Sequence, residues 1–307
     1  MNLEVVAPEL RASLRGPVSV PIAYGWVRGL SRAAIRLMRP GPHPDVSISA
    51  ERAGQVPLRV YRPVRPRSSA AVLWIHGGGL VIGHPKQDDR LCLATARLLG
   101  AVIVSVDYRL APKHPFPAAH DDALAAWDWL QRATDLGVDP SRVVVGGQSA
   151  GGGLAAALVQ HLHDRGGIEP MAQWLFAPML DDRTAADCGL DTTGHPVWDN
   201  GRNRLGWEAY LRRPAGVRDL PEYAAPARRE DLTGLPPAWV GVGDIELFHD
   251  EAVEYARRLG AAGVDTTLDV VPGAYHGFET IAAGSDLAKQ YVGRAHQWLA
   301  DVVRSGA

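Results

Sequence analysis

Lysine is nearly missing from this chain: it occurs only at Lys86, Lys113 and Lys289, and arginine supplies the rest of the positive charge. That imbalance reads as a coding bias and points to no function. Cysteine is scarcer still. Cys92 and Cys188 stand far apart, and neither has a histidine pair at ligand spacing beside it. A disulfide scaffold and a structural zinc site are therefore not expected, and Cys92, inside an apolar helical stretch, reads as a small core residue. No run approaches the ~20 apolar residues of a membrane-spanning helix. Residues 1–15 mix acids and arginines and lack the apolar core of a signal peptide, so the expected location is the cytoplasm. A net charge of −2 gives no reason to expect nucleic acid or an anionic membrane as partner.

What remains is a globular composition. With 46% hydrophobic and 21% charged residues, the 307-residue chain can bury one large core, with room for an insertion. Strand-like and helix-like segments alternate along most of it, the pattern of an α/β fold with a mostly parallel sheet. Strands are expected at Val46–Ile48, Val56–Tyr61, Ala71–Ile75, Ala101–Val106, Ser141–Gly146, Ala172–Phe176, Pro237–Val242 and Thr266–Val271. Helices are expected at Asp88–Leu99, Ala118–Arg132, Leu247–Ala262 and Ile281–Val303, with another opening near Gly152. Two regions break the rhythm. Residues 1–45 are helical or proline-rich, and residues 183–222 carry Trp198, Trp207 and Tyr210 on short helices. A helical excursion between two sheet strands is a natural cap over their carboxyl ends, where open α/β sheets bind ligands. The expected division is thus 1–45 and 183–222 as cap, with 46–182 and 223–307 as core.

The most informative residues are Gly147-Gln148-Ser149-Ala150-Gly151. They join a β-branched run to an Ala/Leu-rich helix. A serine on so sharp a strand-to-helix turn has a strained backbone and an exposed hydroxyl, the nucleophile elbow of a serine hydrolase. The bland alternative is a glycine-rich turn whose serine caps the helix. A serine alcohol needs a base, an orienter for the base, and donors for the developing oxyanion. The base is His276, in a glycine-bearing loop after the last strand. The other histidines singled out have ordinary readings: His161 and His163 at a polar helix end, His296 on a surface helix, and His43, His84 and His114 beside prolines. The acid lies after the strand Pro237–Val242. Asp250 and Glu251 fall in a first helical turn, where carboxylates favour the dipole, leaving Asp244 and Glu246, between which spacing alone does not choose. The donors are the N–H groups of His76-Gly77-Gly78-Gly79 and of Ala150, with His76 propping its own loop.

Five motifs occur together in order: His76 to Gly83, Asp107-Tyr108-Arg109-Leu110-Ala111-Pro112, His114 to Ala118, Gly147 to Gly152, and His276-Gly277-Phe278. From about residue 55 onward the chain resembles the bacterial hormone-sensitive-lipase-like carboxylesterases of the α/β-hydrolase superfamily. The resemblance implies an eight-stranded core, a helical cap from both excursions, and cofactor-free hydrolysis of short- to medium-chain esters. It implies Ser149 as nucleophile and His276 as base, with the oxyanion hole on Gly78, Gly79 and Ala150, supported by Gly77. The family's acid, usually Asp, aligns with Glu246. Two other positions depart from the family. Gln148 stands where an acid, Asn or Thr is usual, which alters the bonding under the elbow. Leu80 replaces an aromatic, so the pocket wall there is expected to be less bulky.

These residues describe acyl transfer through an acyl-enzyme on a small, uncharged ester. An amidase or formamidase would use the same machinery, and a receptor on this scaffold would bind without turnover but would lack a member of the Ser/acid/His set. An edge strand at Thr266–Val271 offers a surface for a homodimer.

Overall fold

The computed structural model describes residues 3–16 and 20–305 of the chain. Residues 1–2, 17–19 and 306–307, which the expected cap and core boundaries include, lie outside the described residues. A 3-10 turn at Pro8–Leu14 and helix α1 (Gly25–Leu37) precede the hairpin β1 (Val46–Ala53) and β2 (Val56–Pro63). Then come β3 (Ala71–Ile75), α2 (Asp89–Leu99), β4 (Val102–Val106), α3 (Ala118–Leu130), β5 (Val143–Gln148), α4 (Ala150–Arg165) and β6 (Ala172–Phe176). Short helices α5 (Asp182–Ala186) and α6 (Asn200–Leu211) lead to β7 (Ala238–Gly243), α7 (His249–Ala261), β8 (Thr266–Val271), α8 (Phe278–Ile281) and α9 (Asp286–Ser305).

Among the described residues, eight strands form one sheet in the order β1-β2-β4-β3-β5-β6-β7-β8, in which only β2 runs against the others. The central strands are buried on both faces and read as near-continuous apolar runs, interrupted at Ser105 and Gln173, as parallel strands between helix layers do. Their two-residue period sorts side chains between two cores. Leu73, Val104, Val145, Leu175 and Val240 face α3, α4 and α7. Val72, Trp74, Trp174, Phe176 and Trp239 face the side of α2 and α9. On that second side Trp74 meets Trp174 edge-on at 5.4 Å, Trp174 meets Phe176 at 4.8 Å, and Phe176 meets Trp239 at 4.7 Å. Such pairs add about 1 kcal/mol each beyond the area they bury.

The expected strands all appear, most within two residues of their expected ends; β1 runs five residues further, to Ala53. The closing helix differs. One helix was expected over Ile281–Val303, but α8 ends at Ile281 and α9 begins at Asp286. Between them Ser285 donates its N–H to Ala282 O and accepts from Ala288 N through its hydroxyl, a cap that restarts the helix after Gly284. Residues 6–14 fold against this same end. Ala7 N–H donates to Gly273 O at 2.9 Å, and the Ser13 and Tyr275 hydroxyls lie 2.5 Å apart.

The topology fixes where chemistry can occur. β3, β5, β7 and β8 are parallel, so the loops leaving them open on one rim. Behind that rim α4 crosses β3 so closely that a β-carbon on Gly151 would sit 2.0 Å from Ile75 O. Gly151→Ala must therefore push α4 off the sheet. The expected loss is roughly 3 kcal/mol, at the upper end for overpacking, read as a lower urea midpoint. An unchanged midpoint would show that this crossing is not constrained.

Candidate active site

Ser149 is the hinge between β5 and α4. Its backbone sits at φ 56°, ψ −124°, outside the ordinary regions for a residue with a β-carbon. Such a conformation costs about 1–3 kcal/mol and persists only where the surroundings enforce it. Here Ser149 N–H donates to Phe176 O at 2.8 Å, while its carbonyl accepts from Gly153 and Met179 N–H, each at 3.0 Å.

The loop after β8 brings His276 above this serine. The two are joined at 2.9 Å between Ser149 Oγ and His276 Nε2. On the other side of the ring, Nδ1–H donates to Glu246 Oε2, and the Glu246 side chain is fully buried. With the carboxylate accepting at Nδ1, Nε2 is the nitrogen that accepts from the serine hydroxyl. Phe248 packs edge-on against the imidazole at 5.1 Å. Burial alone would lower the pKa of His276. The charge and hydrogen bond of Glu246, followed by the charge of Glu279, outweigh it and leave the imidazolium above its ordinary value.

The two acids that spacing left open have different partners. Asp244 points away from the ring and accepts Gly273 N–H at 2.6 Å, tying the start of one rim loop to the other. Glu246, two residues on, meets His276. Among the described residues its second oxygen, Oε1, is buried without a hydrogen-bond partner.

Gly77, Gly78 and Gly79 line a cleft of about 200 Å³ together with Ser149, His276 and Trp198. Gly77 is pressed against the elbow, where a β-carbon would lie 3.2 Å from Ser149 Cβ. Gly79 has φ +59°, and a β-carbon there would lie 2.2 Å from the Trp198 ring. Among the described residues, the N–H groups of Gly78, Gly79 and Ala150 donate to no protein acceptor. Ala150 opens α4, where the helix dipole adds positive character. His76 is held in place: its Nδ1–H donates to Gly77 O at 2.8 Å, its ring stacks on Tyr108 at 4.3 Å, and burial lowers its pKa to about 4. It is neutral at pH 7 and braces the loop, as expected.

Two features went unread in the sequence, the placement of Trp198 and the part played by Glu279. Trp198, noted only as an aromatic of the excursion, covers Gly79 and lies 6.5 Å from the His276 ring. Gln148 does change the bonding under the elbow: its amide donates to Glu279 Oε1, linking β5 to α8 just past His276. Glu279 itself is pushed up to about 6, chiefly by desolvation. A charged residue three positions after the histidine was the available signal. Leu80 is not on the cleft wall. It borders a void of about 10 Å³ shared with Trp207 and Tyr210, whose rings fill the space there. His296, expected on a surface, lies 2.9 Å from Thr95 Oγ1 and stacks on Trp174, and burial lowers its pKa to about 4. A separate cavity of about 790 Å³ lies against the loop of Glu246 and reaches neither Ser149 nor His276.

Comparison with known proteins bears on the fold and the class of the protein. Residues 72–280 match a family described as the alpha/beta hydrolase fold. Carboxylic ester hydrolase LipN of Mycobacterium tuberculosis is 36% identical over 262 residues, covering 81% of this chain and 69% of that one. Carboxylesterase NlhH of the same species is 35% identical over 291 residues, covering 89% and 90%. A bacterial heroin esterase superposes with a TM-score of 0.92 at 34% identity over 99% of both chains. An esterase from the bacterial hormone-sensitive lipase family does so with a TM-score of 0.81 at 31% identity, covering 97% and 99%. The chain belongs to the α/β-hydrolase fold family. Within it, its place is among the hormone-sensitive-lipase-like carboxylesterases.

The charges around His276 yield a measurable consequence. In the Ser149→Ala protein, NMR titration of His276 should give a midpoint above the ~6.5 of a free imidazole. Glu246→Ala should bring it below that value, because burial is then the dominant influence left. Glu279→Gln should lower it by a smaller amount. A midpoint indifferent to Glu246 would contradict the assignment of cause.

Proposed function

We propose that this protein hydrolyses short- to medium-chain, uncharged carboxylic esters by a two-step acyl transfer through Ser149, His276 and Glu246. The observation that carries the proposal is the continuous hydrogen-bonded line from Ser149 Oγ through both ring nitrogens of His276 to Glu246. Ser149 attacks the ester carbonyl as its proton passes to His276 Nε2. Glu246 stabilises the imidazolium that results. Gly78, Gly79 and Ala150 N–H stabilise the oxyanion, each worth on the order of 10²-fold or more in turnover. His276 then protonates the leaving alcohol, and water repeats the sequence on the acyl-enzyme.

The size preference is supported by the cleft, whose roughly 200 Å³ falls below the usual range for drug-sized ligands, and by its Ile22, Ile82, Trp198 and Ile281 walls. We assign residues 1–45 and 183–222 as two parts of a cap on a core of 46–182 and 223–307. Ile22 and Trp198 contribute to the cleft from both excursions. The outer edge of β8 remains our candidate for pairing two copies.

Hydrolysis of p-nitrophenyl esters of increasing acyl length, set beside matching anilides, tests the substrate class. Ser149→Ala should lower turnover roughly 10⁶-fold and Glu246→Ala roughly 10⁴-fold, by analogy with other triads. Asp244→Ala, which removes only a loop contact, should cost far less. A greater loss in Asp244→Ala than in Glu246→Ala would move the acid, and anilides turned over faster than esters would replace the substrate class.

A further inference from the structure

We propose that the outward face of α1 docks this protein onto an anionic lipid surface. The helix is built with its polarity reversed. Trp26, Leu30, Ala33 and Leu37 recur at the spacing of a single helical stripe, yet that stripe faces solvent. Trp26 is 72% exposed, Leu30 63% and Leu37 80%, and Tyr24 and Met38 extend the patch at either end. The other side attaches the helix through cations. Arg32 donates to Asp107 at 2.8 Å, Arg28 to the carbonyls of Ile22 and Ala23, and the Lys86 ammonium to the carbonyl of Arg36. Only Val27 of this helix is buried. A helix serving to cover the core would turn its apolar stripe inward. Isolated exposed apolar residues are ordinary, but this many on one short helix and its ends form a patch.

Charge selects the occupant. From Leu10 to Pro44 the chain has no Asp or Glu, while Arg11, Arg15, Arg28, Arg32, Arg36 and Arg39 fall in this stretch. Arg36, with just over half of its side chain exposed, and the exposed Arg39 flank the end of the stripe. The whole-chain charge of −2 conceals this asymmetry. It does not oppose it, because at physiological salt charges act over only about 8 Å. A second copy docked through the same face would bring the exposed Arg36 and Arg39 of both copies together, and Asp107, the acid beside this helix, is largely buried and already engaged by Arg32 and, at 3.8 Å, by Arg36. Anionic headgroups would instead pair with the arginines while Trp26, Leu30 and Leu37 enter the boundary with the acyl chains, the composition of an interfacial helix. Val20 and Ile22, immediately before α1, line the Ser149 cleft, so the docked helix adjoins the segment that borders the cleft.

Co-sedimentation of the full chain with vesicles tests the proposal without any turnover, so its outcome is separate from that of the catalytic reading. Binding to vesicles of equal phosphatidylglycerol and phosphatidylcholine should exceed binding to phosphatidylcholine alone by roughly tenfold or more and weaken as salt is raised. Trp26→Ser/Leu30→Ser/Leu37→Ser and Arg36→Glu/Arg39→Glu should each reduce binding to the level on neutral vesicles. Both should keep the wild-type circular dichroism and the hydrolysis of dissolved p-nitrophenyl acetate. Equal binding to both vesicle types, or variants that bind like the wild type, would overturn the proposal. A self-association that the serine variant abolishes, with no vesicle binding by the wild type, would also overturn it and give the face to a second copy.

Discussion

Everything at the rim depends on holding one serine in a backbone conformation it would not choose. Ser149 is kept at φ 56° by three backbone hydrogen bonds, from β6, from the loop after it, and from the first turn of its own helix. Those bonds form only while α4 lies tight on β3, and that approach requires Gly151 to have no side chain. The central strands therefore do more than supply a core. Their packing stores the strain that presents the hydroxyl, and the rows of buried Val, Leu and Trp on both sheet faces hold that strain in place.

The second constraint is electrostatic. A fully buried carboxylate needs a compensating partner. Glu246 has one at Oε2, where the His276 ring donates. The same partnership holds the imidazole in the tautomer whose Nε2 faces Ser149. It also raises the pKa of the ring, so that a proton gained there is stabilised where it is needed. Gln148 and Glu279 add a cross-link from beneath, between the elbow strand and the helix after His276. Glu279 thus places a second carboxylate near the ring without touching it.

The sheet was legible because parallel strands buried on both faces are written as near-continuous apolar runs, and Ala71–Ile75 and Ala172–Phe176 begin and end where those runs do. The meeting of Ser149 and His276 was legible because each stands in a short glycine-flanked motif tied to a strand end. Which carboxylate meets His276 was not settled by spacing, because Asp244 and Glu246 share one loop. What separates them is Asp244 accepting a bond from Gly273, a long-range contact that no local pattern announces. Trp198 over Gly79 and Gln148 on Glu279 were unreadable for the same reason. The break between α8 and α9 was missed because the apolar period continues across Gly284, although Ser285 caps the next helix. Net charge did not show the stretch from Leu10 to Pro44 that contains no Asp or Glu, because it is averaged against acids elsewhere.

The central claim is that Ser149 is the reactive alcohol, activated by His276. Treatment with a fluorophosphonate, followed by intact-mass and peptide-mass analysis, tests it most directly. The account predicts one adduct, on Ser149, absent from Ser149→Ala and formed more slowly at pH values where His276 is protonated. An adduct on another residue, or undiminished ester hydrolysis by Ser149→Ala, would contradict it.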